Sequence, residues 1–399
     1  MKHLPPVAIS GVGCLCAAGL GLNACMNNLF NGQRHPAPPT TFTIGYSKAY
    51  PVFEVPDDFL LTAGEESRNL TRTCRLILTA VREAFDDASL TPDILQSQRV
   101  GVCIGTNVGS AMGNEAFYCN NKEDLDPYIY PKDRFLMSNP TAHIMEEFDL
   151  NGPFQTVVNA CSAGTDAVGL AASWIRTGIC DIAIAGGVDE MYQATYNGFI
   201  SLMISDRTPC KPFDLNRNGL NLGEGAAVVI LESEKMLKLR QKTALAFVRG
   251  YGSTTDAHHL IAPDPRGLGL KLAITEALEM GAVHTSDIAF VNTHGTGTLD
   301  NDRIESQVLN EILTHVPFLS TKGYTGHTLG AAGAIEAALT IAFLKSGRVP
   351  ASAGFETPDP ALPASPVSDI TPLYGTIALS QTLAFGGNNS VLVLERGGN

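Results

Sequence analysis

Four short segments of this 399-residue chain carry side chains and turns suited to covalent acyl chemistry. The first is Asn159-Ala160-Cys161-Ser162-Ala163-Gly164. A thiol at the point where a strand turns into a helix faces the free amides of the first helical turn, which favour thiolate by roughly 0.3–2 kcal/mol. Gly164 and the alanines after it allow close backbone approach, and a tight elbow would hold the sulfur outward. For most of the nine cysteines the plainer reading is a small buried hydrophobe. The second segment is His294-Gly295-Thr296-Gly297-Thr298, followed by Asp302 and Glu305. A histidine at a strand end among glycines and threonines sits in a hydrogen-bonding loop, although a lone loop histidine is as often structural.

The third segment is Lys322-Gly323-Tyr324-Thr325-Gly326-His327. A histidine at a helix N-terminus is held neutral and can donate one N–H. Lys322 is either a snorkelling surface lysine or a buried one that needs a carboxylate, which Glu305 or Asp302 would supply. The fourth is Phe385-Gly386-Gly387, a turn whose amides could point at a bound carbonyl. A nucleophilic thiol, a neutral donor imidazole and amides aimed at a carbonyl are the parts that covalent acyl chemistry uses.

These segments must be positioned by regular elements. Val7 to Gly13 reads as a buried strand ending in a glycine turn, Arg75 to Ala88 as a helix and Val100 to Gly105 as a strand. Thr156 to Ala160 reads as a strand feeding Cys161, followed by a small-residue helix to about Thr177-Gly178, then strands at Asp181 to Gly186 and Ala226 to Glu232. The alternation restarts after a charged helix at Ser233 to Lys242. Ala244 to Tyr251 is a strand, Leu268 to Met280 a helix, Ile288 to Asn292 a strand into His294, and Gly330 to Ser346 a second small-residue helix. Thr376 to Ala384 and Ser390 to Glu395 form a hairpin around the last motif. Alternation throughout implies α/β layering. The echo between segments predicts two halves, 1–242 with the nucleophile and 243–399 with both histidines, and a site between them. Residues 200–222 and 352–372 read as ordered loops.

Composition narrows the partners. A hydrophobic fraction of 44% against 17% charged residues predicts a large core. A net charge of -13 without basic runs argues against nucleic acid. Cysteines without CxxC or Cys/His ligand spacing, and a proline-broken start at Met1 to Ile9, predict reduced thiols in a cytoplasmic protein. No apolar run of about 18 residues stands out, so no membrane-crossing helix is expected.

In this order and spacing the four motifs resemble the elongating β-ketoacyl-acyl-carrier-protein synthases of the thiolase superfamily, over about residues 6 to 396. Cys210-Lys211-Pro212-Phe213-Asp214 and Gly223-Glu224-Gly225-Ala226 resemble two further family segments. The resemblance implies an α/β, thiolase-like five-layered αβαβα fold with two duplicated halves. It implies Cys161, His294, His327 and Lys322 as catalytic, and the amides of Cys161 and Phe385 as oxyanion hole. Glu305 and Asp302 would support His294, and Thr296 and Thr298 would bind phosphopantetheine. No metal or cofactor beyond the carrier's own prosthetic arm is implied. Implied partners are an acyl carrier protein and a second subunit, in a homodimer or a heterodimer with a chain-length-factor-like homologue. Arg68, Arg72, Lys132, Arg134 and Arg207 are the candidate docking residues for the acidic carrier.

Several positions depart from the family pattern. The family's final turn is commonly G-F-G-G-T-N, whereas here it is Ala384-Phe385-Gly386-Gly387-Asn388-Asn389, and Lys211 stands where arginine is usual. The loss of a permissive glycine at Ala384 predicts a restricted gate. Such departures point to a specialised ketosynthase of the aryl-polyene or type II polyketide kind. Two rivals stay open: a Cys-dependent acyltransferase or hydrolase, which has no use for a second histidine with a lysine, and a non-catalytic chain-length-factor-like subunit, which would lack the cysteine. A biosynthetic thiolase needs a late second cysteine, and the last one here is Cys210.

Overall fold

The computed structural model describes residues 4–56, 70–109 and 139–398. Ten strands carry the architecture: β1 (Val7–Cys16), β2 (Val100–Gly105), β3 (Phe154–Val157), β4 (Ile182–Asp189), β5 (Gly225–Glu232), β6 (Ala246–Thr255), β7 (Ile288–Asn292), β8 (Phe318–Leu319), β9 (Ile377–Ala384) and β10 (Asn388–Arg396). Among the described residues they form one mixed sheet in the order β3-β2-β4-β5-β1-β6-β10-β9-β7-β8, with an eleventh, two-residue strand at Gly19–Leu20 paired to β1. From each outer edge to the seam, both halves run third, second, fourth, fifth, first in their own chain order. The seam is a short antiparallel contact between β1 and β6, from Val7↔Val248 to Ile9↔Ala246.

Strand periodicity explains the layering. Alternate residues of a strand face opposite sides, and here both sides are buried. In β5, Ala226, Val228 and Ile230 enter one core while Ala227, Val229 and Leu231 enter another. In β10, Val391 and Val393 face an outer core, and Leu392 and Leu394 face the central one. Helix α1 (Arg72–Ala88) covers the outside of the first half, while α3 (Leu268–Gly281) and α4 (Leu299–Ile312) cover the second. Between the half-sheets lie α2 (Ala163–Thr177) and α5 (Ala332–Ser346). Helix, sheet, helix, sheet, helix is the five-layered arrangement the resemblance implied.

The two central helices meet because both are made of small residues. A Cβ at Gly164 would lie 2.8 Å from the Gly330 carbonyl oxygen, and one at Gly333 would lie 1.9 Å from Thr165 Oγ1. This contact brings the chain ends that carry Cys161 and His327 to one point. Contrary to the sequence expectation, Leu329–Ser346 is long and apolar enough to cross a membrane, with mean hydropathy 1.4. It is 83% buried inside the molecule, so its apolar surface is spent on the central core.

Most element boundaries fall within a few residues of the sequence reading, and two differ informatively. The strand before Cys161 stops at Val157, three residues early, because Ala160 takes a left-handed conformation at φ +49°. The helix after His327 starts at Ala332, behind a short 3-10 turn at Leu329–Ala331. Helix α4, which supplies Asp302 and Glu305, had no expectation in the sequence.

Candidate active site

The nucleophile elbow is built by polar side chains around a strained backbone. The left-handed Ala160 costs roughly 1–2 kcal/mol for a non-glycine residue. Asp166, in the first turn of α2, offsets it. Its carboxylate accepts from Ser162 Oγ at 2.8 Å, Asn159 Nδ2 at 2.6 Å and Tyr251 Oη at 2.8 Å. Cys161 is thereby fixed at the base of the cleft, buried. Burial pushes its thiol up to about 11; Lys322's charge and the N–H groups of Phe385 and of Cys161 itself pull the other way, and Asp189 adds to the rise. Helix-dipole activation is thus outweighed by desolvation, contrary to the emphasis of the sequence reading.

The two histidines are fixed as the same tautomer from opposite sides. Lys322 Nζ donates to His294 Nδ1 at 3.0 Å. The Leu329 amide donates to His327 Nδ1 at 3.0 Å. With Nδ1 accepting in both rings, each Nε2 carries the proton and is a donor. The rings lie 5.1 Å apart between centroids and are nearly perpendicular. Burial is the main cause that holds both imidazoles well below their ordinary titration range, with Lys322's charge adding to it.

That displacement has a sign that can be checked. A free imidazole is half protonated near pH 6.5, so a depressed value keeps both rings neutral below that point. In protein labelled with ¹⁵N-histidine, both rings should retain the neutral Nε2–H signature at about pH 6, where an ordinary histidine is mostly protonated. Protonated signatures for both at that pH would contradict the buried, donor-poised assignment. The same displacement makes folding less favourable as pH falls from about 6.5 towards the lower folded value, because the unfolded chain takes up protons that the folded state does not.

The carboxylate opposite Lys322 is Glu336, in α5, and not Glu305 or Asp302 as expected. Glu336 is buried, and burial pushes its carboxyl up to about 7 against the pull of Lys322. Glu305 acts on the backbone instead. Its oxygens accept from the amides of His294 at 2.7 Å and Gly295 at 2.6 Å, and from Gln381 Nε2 at 2.7 Å. Asp302 accepts from the Phe213 amide at 2.7 Å and the Gly297 amide at 3.2 Å, with Arg217 beside it at 3.8 Å. Both acids support the His294 loop, but neither touches Lys322. Glu336 lies outside every motif, and its one signal in the sequence is its place as an acid inside an otherwise apolar helix, where a buried acid requires a cation.

The cleft has a volume of about 290 Å³, and Cys161, both histidines, Thr296, Thr298 and Phe385 line it. The hydroxyls of Thr296 and Thr298 are 2.9 Å apart. Phe199 stacks on Phe385 at 5.6 Å and meets the His327 ring edge-on at 6.3 Å, forming an apolar wall that the sequence did not disclose. The Cys161 sulfur and one ring nitrogen each of His294 and His327 lie within 4.8 Å of one another. Ala384 has φ −127°, a conformation open to any residue, so its side chain imposes no strain.

The docking candidates divide. Arg72 is turned inward, with its guanidinium on the buried Glu224 and on the Val55 carbonyl, so it does not extend a basic surface. Glu224 has 0% side-chain exposure and needs that cation. Arg207 is exposed and lies over the Tyr50 ring, 5.3 Å from its centroid. Arg68, Lys132 and Arg134 lie outside the described residues.

Fold and site together define a condensing enzyme built around a cysteine and a pair of donor histidines. The N-terminal domain model of beta-ketoacyl synthase matches residues 5–236, and the C-terminal domain model matches residues 245–356. The 3-oxoacyl-(acyl-carrier-protein) synthase 2 of Staphylococcus aureus is 30% identical, over 99% of this chain and 99% of its own. Two solved structures align over 99% of this chain and 100% of theirs. One is the ishigamide ketosynthase/chain length factor, with TM-score 0.89 and 28% identity. The other is a type II PKS acyl-carrier protein in complex with its ketosynthase, AntDE:AntF, with TM-score 0.87 and 25% identity. The chain belongs to the beta-ketoacyl synthase family. It is accordingly an acyl-transferring enzyme of decarboxylative carbon–carbon condensation.

Proposed function

We propose that Cys161 carries the growing acyl chain and that His294 and His327 activate the malonyl unit. The observation that carries this reading is the pair of Nε2–H donors fixed by Lys322 and by the Leu329 amide beside one buried thiol. In the first half-reaction Cys161 sulfur attacks the acyl thioester carbonyl. The amides of Cys161 and Phe385 hold the developing oxyanion, the carrier's C–S bond breaks, and the thiol proton ends on the departing carrier. In the second, the malonyl carboxylate leaves as carbon dioxide, and its bonding pair becomes the enolate whose oxygen accepts from both imidazoles. The enolate carbon attacks the acyl-cysteine carbonyl, and collapse expels the Cys161 thiolate. Glu305 and Asp302 hold the His294 loop, Lys322 with Glu336 orients His294, and Thr296 and Thr298 receive the phosphopantetheine arm. The reading needs no cofactor besides that arm.

The donor set favours this over a hydrolase, which would need one histidine as base; here both Nδ1 atoms are occupied. The partners follow from the chemistry and the relatives: an acyl carrier protein, and a second subunit of the same fold, either identical or chain-length-factor-like. Strand β3 supports such a partner, since it is an outer edge with Phe154 61% exposed and, just beyond its end, Val158 63% exposed. The departures around Ala384 and Lys211 favour a type II polyketide or aryl-polyene pathway in the cytoplasm. The repeated strand order supports residues 1–242 and 243–399 as two copies of one half. Incubation with acyl- and malonyl-carrier protein should give a β-ketoacyl-carrier protein two carbons longer, with one carbon dioxide released per turn. The assay is run alone and with co-expressed cysteine-free homologues. Free acid as the sole product in both arms would replace condensation by hydrolysis.

A further inference from the structure

Two asparagines, at the start of the first motif and just after the last, connect the halves of the site. Asn388 Nδ2 donates to Asn159 Oδ1 at 2.8 Å and to the Phe385 carbonyl at 3.3 Å. Asn159 Nδ2 in turn donates to Asp166 Oδ2 at 2.6 Å and to Ser162 Oγ at 3.0 Å. The orientation of both amides is determined. Asp166 is an acceptor to three further hydroxyls, from Ser162, Tyr251 and Ser390, so Asn159 must present its NH₂ to the carboxylate. Its oxygen then faces Asn388, which must donate.

The bridge joins the two backbone amides that must act together. Asn159 lies two residues before Cys161, in the elbow. Asn388 follows the Phe385-Gly386-Gly387 turn and holds its first carbonyl. That turn contains consecutive left-handed glycines, Gly386 at φ +85° and Gly387 at φ +82°, so its own backbone does little to fix it. On its far side it is tied to another loop, by the Gly386 amide to the Leu260 carbonyl at 2.7 Å and by the Asp256 amide to the Gly387 carbonyl at 2.8 Å. On the near side the side chain of Asn388 links it to the elbow. An oxyanion hole works only when both donors sit 2.7–3.1 Å from the developing oxygen, and their two supports come from opposite halves of the chain.

We infer that the Asn159–Asn388 amide bridge, anchored on Asp166, is a positioning device that sets the separation of the Cys161 and Phe385 amides for acyl transfer. This rests on the proposed role of Cys161. Neither asparagine touches the His294 and His327 pair, so the bridge should govern loading of the cysteine and leave decarboxylation alone.

The experiment compares wild type with Asn159→Ala, Asn388→Thr and the double variant. Three rates are read: acylation of Cys161 by acyl-carrier protein, alkylation of Cys161 by iodoacetamide, and carbon dioxide release from malonyl-carrier protein. Alkylation passes through no tetrahedral oxyanion, so it reports an intact thiol and fold. Each single variant should slow acylation by about 10- to 100-fold, less than the full loss of a donor. The double variant should fall no more than about threefold below the slower single one, since a bridge is broken once. Alkylation and decarboxylation should stay within about threefold of wild type. Acylation within that range in both singles, or singles whose effects multiply, or parallel losses in all three rates, would each overturn the bridge. Should Asn159→Ala not fold, Asn388→Thr alone decides by the same comparison. Wild type that takes up no acyl group would instead overturn the role of Cys161.

Discussion

Substituting Cys161 by alanine should abolish the acyl adduct and lower condensation by about four to six orders of magnitude, the scale on which removal of a covalent nucleophile acts. Intact-mass measurement after incubation with acyl-carrier protein reads this directly: one acyl mass on wild type and none on Cys161→Ala. Fold damage is not the expected cause. The elbow is held by Asp166, Ser162 and Asn159, and none of these bonds uses the sulfur. The variant should therefore unfold at nearly the wild-type temperature and keep releasing carbon dioxide from malonyl-carrier protein. Among the described residues seven other cysteines are buried free thiols, several with values that burial pushes up strongly. A surviving adduct in Cys161→Ala would move the nucleophile to another side chain.

The second large effect is on decarboxylation. His294→Ala and His327→Ala should each slow carbon dioxide release by about 10²–10³, the loss seen when one preorganised donor to a developing oxyanion is removed. The pair should be non-additive, because the remaining donor cannot centre an enolate built for two. Acylation of Cys161 should fall far less in either variant, since the oxyanion of that step is held by backbone amides. His327→Asn restores one N–H near the lost position and should recover part of the rate. The opposite pattern, with acylation crippled and decarboxylation normal, would make the histidines bases for the thiol and sink the enolate account. Lys322 is a poorer first target, because its removal leaves Glu336 as an uncompensated buried charge and mixes stability with catalysis.

The parts of the site legible in the sequence were those whose chemistry sits inside one motif. Cys161 before a glycine-containing helix, His294 among glycines and threonines, and His327 after Lys322 all fall on a strand end or helix start, where side chains aim into a cleft. The layering was legible for a similar reason, since short apolar runs alternated with small-residue helices. Partner choice was not legible. Lys322 sits on Glu336, fourteen residues on, because α5 brings that acid to it, whereas Glu305 accepts loop amides. Arg72 looked like surface charge until the buried Glu224, 152 residues away, claimed it. The Asn159–Asn388 bridge spans 229 residues and appears only once the hairpin folds back on the elbow.

The independence of the elbow from its sulfur carries a consequence for descent. A gene copy that exchanged Cys161 for another small residue would lose turnover but keep its scaffold and its edge strand. Nothing in the framework selects for the thiol once a sister chain supplies one. A mute companion subunit is thus a short mutational step from this protein, and retention of the cysteine marks this copy as the working member of any such pair.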